Sequence, residues 1–208
     1  MGLNDFTGLT DLHIDVLREI GNIGSGNAAS SLSQMMDRPV DIAIPSVAIL
    51  DVNDAIANMG GAELQIVGLL LSLSGDVNGM MMFLLEREFA CMLLNALMFM
   101  DVKDFSEIDE MGYSAIQEMS NIMAASFVNA IADMTGLAID LSPPSTATDM
   151  LGAIMNAPAI YYSNISDKII FIKNEFGTAD MKAPAHIIMM PDVESLNKIL
   201  EKLGIDTI

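Results

Sequence analysis

The chain is poor in cysteine, tryptophan and basic residues: its 208 residues include one Cys, no Trp and nine Lys or Arg against 28 Asp or Glu. A lone cysteine, Cys91, excludes an internal disulfide and indicates a reducing compartment. The net charge of −19 disfavours nucleic acid as a partner, because most of the surface would repel a polyanion. The first residues also lack the basic and apolar segments of a secretory signal. We therefore expect a cytoplasmic protein that binds no nucleic acid.

Long apolar runs are also missing, although 52% of the residues are apolar. A membrane-spanning helix needs about 18 or more consecutive apolar residues, and no such run occurs. The nearest candidate, residues 66–85, is interrupted by Ser74-Gly75-Asp76, a turn-like centre that predicts two buried strands. We expect no membrane insertion. The 19 methionines are typical of gap filling in the core, with an adaptable docking surface as the alternative.

What the sequence has instead is one pattern that occurs twice, 99 residues apart. The paired positions are Asp15 with Ser114, Glu19 with Glu118, Asn22 with Asn121, and Pro45 with Pro144. A duplicated domain repeats its apolar positions for packing reasons, but a core does not require a carboxylate and a carboxamide. The repeat therefore indicates a duplicated site as well as a duplicated fold.

Each half is predicted to contain a long helix, several strands and a closing helix. In the first half we predict a helix from Thr10 or Asp11 to Met36, strands at 40–44 and 47–52, a helical turn at 54–59, a hairpin of 64–73 with 79–85, and a helix at 86–99. In the second half we predict a helix capped by Ser106 and Asp109 and ending at Thr135, a strand at 137–141, a helical turn at 149–155, strands beginning at 159, 165 and 185, and a helix at 192–203.

The predicted strands are joined by short turns, which favours antiparallel pairing because parallel neighbours need a long crossover. We predict an α+β fold in which two pseudo-symmetric halves, residues 1–100 and 101–208, share a largely antiparallel sheet. The two long helices would pack on that sheet. The whole chain, residues 1–208, would then form a single domain.

Helical geometry predicts that the repeated polar residues face solvent. With Asp15 at zero, Glu19 lies at about +40° and Asn22 at about −20°, since each residue turns the helix by about 100°. The apolar residues Leu17 and Ile20 lie on the opposite side. The second helix repeats this arrangement, with Ser114, Glu118 and Asn121 outward. A single exposed Glu and Asn is usually solvated surface, but two copies with a matching Pro make that explanation weak.

An outward Glu and Asn have limited chemistry. Glu offers a charge for docking, and Asn both accepts and donates hydrogen bonds, so it can hold a water molecule and touch an anionic oxygen. Neither is expected to act as the nucleophile here. This set suits phosphoryl transfer, where positioning of the attacking water supplies much of the catalysis.

Two segments carry a resemblance to a known family. EIGNIGSGNAASSLSQM with Pro45, and EMSNIMAASFVNAIADMTG with Pro144, resemble the two signatures of the CheC phosphatases of bacterial chemotaxis. The resemblance implies hydrolysis of the aspartyl phosphate of the response regulator CheY in two-component signalling. It assigns docking to Glu19 and Glu118, and water orientation to Asn22 and Asn121. Asp15, Ser114, Pro45 and Pro144 would be supporting residues.

The resemblance also implies partners and relatives. It implies no cofactor of the chain's own, a Mg²⁺ ion held by CheY, and binding to the deamidase CheD. Two signatures without an added domain resemble the CheC branch more than CheX, which has one signature, or FliY, which has a further domain. The alternative is a noncatalytic binding module like the middle domain of the flagellar switch protein FliM. A main role in regulating CheD also stays open.

Other features are assigned structural roles. The glycines of residues 21–28 follow no phosphate-binding pattern and predict close helix packing. His13 and His186 are isolated, so we expect surface or structurally satisfied histidines. Cys91 lies in an apolar run, which predicts a buried thiol.

Overall fold

The computed structural model of the protein describes residues 6–162, 168–178 and 182–205. Six helices lie in these ranges: α1 Asp11–Met36, α2 Val52–Met59, α3 Arg87–Met98, α4 Glu110–Thr135, α5 Leu151–Tyr162 and α6 Val193–Lys202. Eight strands accompany them: β1 Asp41–Ile42, β2 Ser46–Asp51, β3 Gln65–Gly75, β4 Gly79–Leu85, β5 Ile139–Leu141, β6 Ser145–Met150, β7 Lys168–Gly177 and β8 Lys182–Pro191. The predicted order of elements is confirmed in the first half, whereas the second half differs from the prediction between residues 145 and 162.

All eight strands belong to one antiparallel sheet, as the α+β prediction requires. The order across the sheet is β1-β7-β8-β4-β3-β5, with β2 also paired to β7 and β6 also paired to β3. The hairpin strands β4 and β8 meet at the centre, where Met82 lies opposite Ile188. The strands of the two halves therefore occupy equivalent places on either side of the central pair, as a pseudo-twofold arrangement requires.

The two halves exchange their outer strands. β2 of the first half pairs with β7 of the second half, from Ser46 opposite Lys173 to Asp51 opposite Lys168. In return, β6 of the second half pairs with β3 of the first half. Each half thus completes the sheet of the other.

The sheet is covered on both faces. Helices α1, α3, α4 and α6 pack on one face, around residues such as Phe83, Phe127 and Leu196. Helices α2 and α5 pack on the other face, around Ala55 and Met155. Because β4 is buried on both faces, its sequence is an unbroken apolar run in place of an alternating pattern. Its three methionines, Met80 to Met82, are buried, which confirms the core assignment.

Three secondary-structure predictions need correction. The second long helix begins at Glu110, and Asp109 caps it by accepting from the Gly112 amide. Ser106 hydrogen bonds Asp104 in a separate 3-10 turn, so the capping role predicted for Ser106 was wrong. No strand begins at 159, because α5 continues to Tyr162. Residues 149 and 150 belong to strand β6 and not to the predicted helical turn.

Strand β6 was missed altogether. Its sequence, STATDM, is polar, and five of its six side chains are exposed. Only pairing with β3 makes it a strand. The predicted start of β7 at Ile165 lies outside the described residues.

In the described ranges, no helix is both long enough and apolar enough to cross a membrane.

Candidate functional site

The two long helices carry the repeated residues in matching positions. Both α1 and α4 are 26 residues long, and they begin 99 residues apart. Glu19 and Glu118 are exposed, whereas Asn22 and Asn121, one turn further along, are half-buried. Each helix therefore presents its carboxylate to solvent and holds its carboxamide closer to the sheet. We call the set around Asn22 the first site and the set around Asn121 the second site.

Glycines in α1 explain how the first site sits so close to its neighbours. A Cβ on Gly21 would lie 2.7 Å from Val47 Cγ2 on β2, and a Cβ on Gly24 would lie 2.5 Å from the ring of Phe127 on α4. The bare backbone thus lets α1 rest directly on both elements, which confirms the predicted role of these glycines. The hydroxyl groups of Ser31 and Ser126 hydrogen bond at 2.6 Å where the helices meet.

The supporting residues lie at the edges of the two sites. Asp15 and Ser114 are exposed and stand one turn before the carboxylates. Asp15 forms an ion pair with Arg18, and Ser114 donates to the Glu110 carbonyl. Pro45 and Pro144 are both buried, and each directly precedes its strand, β2 or β6.

The second site is a cleft of about 440 Å³. Its lining consists of Ser114, Gln117, Glu118 and Asn121 from α4, and of residues 141–144 between β5 and β6. The structure thus brings all four predicted residues of this site into one concave surface. A cleft of this kind admits water and the tip of a partner's side chain.

Gln117 is a lining residue that sequence reasoning missed. Its Nε2 donates to the Pro144 carbonyl at 3.0 Å and ties α4 to the loop before β6. The signal in the sequence was weak, because the position 99 residues earlier is Arg18, which pairs with Asp15 instead. Because Gln117 and Arg18 are different residues, this position is not part of the repeated pattern.

The first site has an unusual carboxamide. Asn22 Oδ1 is buried and has no hydrogen-bond partner among the described residues. A buried carbonyl without a partner costs about 1 to 3 kcal/mol, so this group is poised to accept a hydrogen bond. A water molecule that reaches it would satisfy it.

The remaining candidates have structural roles. His13 accepts from the Thr10 amide at the start of α1, as expected of a structurally satisfied histidine. His186 is buried, and its Nε2 hydrogen bonds Glu86 at 2.8 Å, but its Nδ1 has no partner among the described residues, so the expectation holds for this side chain only in part. Cys91 is buried, and desolvation raises the pKa of its thiol. In the part of the chain that the structure describes, no three His, Cys, Asp or Glu side chains cluster as a metal site.

Comparison with known proteins identifies the repeated segments. The model of the CheC-like family matches residues 12–49 and 111–147, the two stretches that contain the sites. The chain is 31% identical over 205 residues to the CheY-P phosphatase CheC of Bacillus subtilis, which covers 96% of this chain and 97% of that protein. The chain belongs to the CheC-like family. The family predicted from the two signatures is thereby confirmed.

Solved structures confirm the fold. FliY of Thermotoga maritima superposes with a TM-score of 0.75 at 20% identity, covering 94% of this chain and 98% of that one. The FliM middle domain of H. pylori superposes with a TM-score of 0.68 at 12% identity, covering 93% and 99%. At these identities the likeness concerns the fold alone.

Proposed function

We propose that this protein hydrolyses the aspartyl phosphate of the response regulator CheY. The observation that carries the proposal is the duplicated pair of an exposed Glu and a half-buried Asn on one helix face, completed at the second site by a cleft. The relative named CheY-P phosphatase, aligned over nearly the whole of both chains, supports the same substrate.

The carboxamides would orient the attacking water. Asn22 or Asn121 enters the regulator's active site beside the phosphoryl group and accepts a hydrogen bond from a water molecule. The water oxygen attacks phosphorus in line, the bond from phosphorus to the aspartyl oxygen breaks, and the proton of the water is released with inorganic phosphate. Positioning of this kind is the main contribution that a protein makes to phosphoryl transfer.

The carboxylates would dock the regulator. Glu19 and Glu118 each stand about 4.5 Å along the helix from their Asn, since three residues separate them. A basic side chain of the regulator, which the family resemblance gives as a lysine of its active site, would pair with each carboxylate. The Mg²⁺ ion that the family resemblance implies would stay with the regulator, and this chain would supply no metal ligand.

The decisive experiment is a decay assay with phosphorylated CheY. The wild-type protein should accelerate loss of the phosphoryl group, and the double variant Asn22→Ala with Asn121→Ala should return decay to the rate of the regulator alone. Asn121→Ala should change the free energy of unfolding by only about 0.5 kcal/mol. Asn22→Ala should leave it equal or raise it by up to about 1 kcal/mol, because the buried Oδ1 of Asn22 has no partner among the described residues. A urea titration of the same variant checks this.

The matched control replaces two exposed asparagines on the same helices, Asn27→Ala with Asn129→Ala, which lie outside the repeated pattern. This control should keep full activity. Unchanged decay in the Asn22 and Asn121 variant would reject the water-orienting role. A wild-type protein that binds CheY without accelerating decay would favour the noncatalytic module instead.

Binding of the deamidase CheD is proposed on the family resemblance alone. A pull-down with purified CheD, followed by a deamidation assay with and without this protein, tests it. If deamidation changes while the Asn variants leave it unaffected, regulation of CheD is a separate role. The cytoplasmic location stays a prediction, which cell fractionation tests.

A further inference from the structure

Large apolar side chains stand exposed beside both sites. Among the described residues, five large apolar side chains are strongly exposed, and three of them are Leu12, Ile44 and Met111. Leu12 is 58% exposed and Met111 67% exposed, and they lie 99 residues apart, in the same spacing as the repeated motif. Scattered exposed apolar residues are normal on protein surfaces, but recurrence at equivalent positions of a duplicated site is not expected by chance.

Helix geometry places each of them on the face of the motif. Leu12 precedes Glu19 by seven residues, so the two lie within about 20° of each other around α1 and about 10 Å apart along it. The same relation holds for Met111 and Glu118 on α4. Each site therefore presents an apolar side chain, a carboxylate and a carboxamide in a line along one helix.

A second apolar residue extends the surface at each site. Ile44, 89% exposed, directly precedes Pro45, and the equivalent position before Pro144 is Pro143, which is exposed and lines the cleft. We call Leu12 with Ile44, and Met111 with Pro143, the apolar flanks of the two sites. Leu12 and Met111 share the helix face of the polar residues, and Pro143 lines the cleft of the second site with Glu118 and Asn121.

We propose that the apolar flanks are the part of each docking surface that holds the response regulator, with Leu12 and Met111 packing on an apolar patch of that partner. This inference rests on the proposed function. The spacing defines the partner's surface: an apolar patch about 10 Å from the basic group that meets Glu19 or Glu118. An exposed ion pair contributes about 0 to 1 kcal/mol, so burial of apolar area is needed to hold the complex.

The test measures binding and turnover separately. Binding is measured by titration with CheY loaded with beryllofluoride and Mg²⁺, which cannot be hydrolysed. Turnover is measured with phosphorylated CheY. Met111→Gln is studied in a background of Glu19→Lys with Asn22→Ala, so that only the second site binds and acts. Leu12→Gln is studied in a background of Glu118→Lys with Asn121→Ala, so that only the first site binds and acts.

Each Gln variant should weaken binding and raise KM by about tenfold, or ~1.4 kcal/mol, while kcat stays within about twofold. Leu12→Met and Met111→Leu should restore binding, because they keep the apolar volume. The matched control is Met150→Gln, an exposed apolar residue at the end of β6 away from Pro144, which should change neither quantity. Thermal melting confirms that every variant folds.

The outcomes separate this inference from the proposed function. If wild-type protein hydrolyses phosphorylated CheY but the Gln variants keep their KM and affinity, the apolar flanks are rejected and the phosphatase stands. If the Gln variants weaken binding although no variant hydrolyses anything, the flanks stand and the phosphatase is rejected. A wild type that does not bind CheY rejects both. If the variants instead convert a self-associated protein to a monomer with affinity unchanged, the flanks bind a second copy and the inference is overturned.

Discussion

The first and second sites share their Glu, Asn and Pro but differ in what surrounds them. At the first site, Arg18 is engaged by Asp15, and the helix lies on β2 through the bare backbone of Gly21. At the second site, Gln117 occupies the place of Arg18 and ties the helix to the Pro144 carbonyl. The duplicated functional groups were kept while their supports diverged.

The difference extends beneath the helices. Gly21 faces Val47, whereas the residues 99 positions later are Ser120 and Thr146, whose hydroxyl groups are buried without a partner among the described residues. An apolar contact thus lies beneath the helix of the first site, whereas polar groups are buried beneath the helix of the second. The repeat in the sequence thus preserves the side chains on the motif face of each helix, whereas the residues that pack beneath the two helices differ.

The largest expected effect concerns the two carboxamides. Asn22 Oδ1 is turned into the protein, whereas Asn121 lines an open cleft with Glu118. We expect Asn121→Ala to slow CheY dephosphorylation by about tenfold and Asn22→Ala by less than about twofold. Equal losses in the decay assay would show that the two sites are equivalent in spite of their surroundings.

Substitutions at Gly21 and at the equivalent Ser120 should change the free energy of unfolding in opposite directions. Gly21→Ala places a methyl group 2.7 Å from Val47 Cγ2. Overpacking costs about 1 to 3 kcal/mol and the gain in helix propensity is about 1 kcal/mol, so we expect a net loss of about 1 kcal/mol.

Ser120→Ala, at the equivalent position, removes a buried hydroxyl that has no partner in the described structure, so stability should stay equal or rise by up to about 1 kcal/mol. Urea denaturation of both variants gives the two changes. A loss of stability at Ser120 would indicate that its hydroxyl group is satisfied in solution, for example by a water molecule.

The ends of the two long helices should also respond in opposite directions, with the smallest change expected at Asp37. The residue after α1 is Asp37 with φ 48°, and its counterpart after α4 is Gly136 with φ 71°. Glycine adopts this left-handed conformation without the steric cost that Cβ imposes. Asp37→Gly should therefore stabilise the fold by about 0.5 kcal/mol, and Gly136→Ala should destabilise it by about 1 kcal/mol. Thermal melting that shows the opposite signs would contradict this account.

Much of the fold was accessible from the sequence because local signals were strong. The long helices have caps, apolar periodicity and stop residues, and their predicted ends agree with α1 and closely with α4. The strand β6 gave no such signal, since its exposed polar residues form a strand only when β3 provides a partner. The capping role wrongly given to Ser106 has a similar cause, because its hydroxyl group bonds Asp104 in a neighbouring turn, while the predicted cap residue Asp109 does cap α4.

Only part of the candidate site could be predicted from the sequence. The repeated positions Glu19, Asn22, Glu118 and Asn121 follow from spacing and helix geometry, which need no tertiary information. Gln117 became visible only when the loop before β6 was seen against α4. Helix geometry places Leu12 and Met111 on the motif face, but the structure was needed to show that no other element covers them.

The sequence by itself determined that this protein has two Glu and Asn pairs, each on one face of a duplicated helix, because side-chain direction on a helix depends only on spacing along the chain. The predicted exposure is confirmed for Glu19 and Glu118, whereas the structure leaves Asn22 and Asn121 half-buried. It also determined the family, through those same residues. Only the tertiary structure decided that the halves exchange strands, so that β2 completes β7 and β6 completes β3. Strand pairing joins residues more than 70 positions apart, and which partner is chosen depends on how the whole sheet closes its hydrogen bonds and buries its two faces.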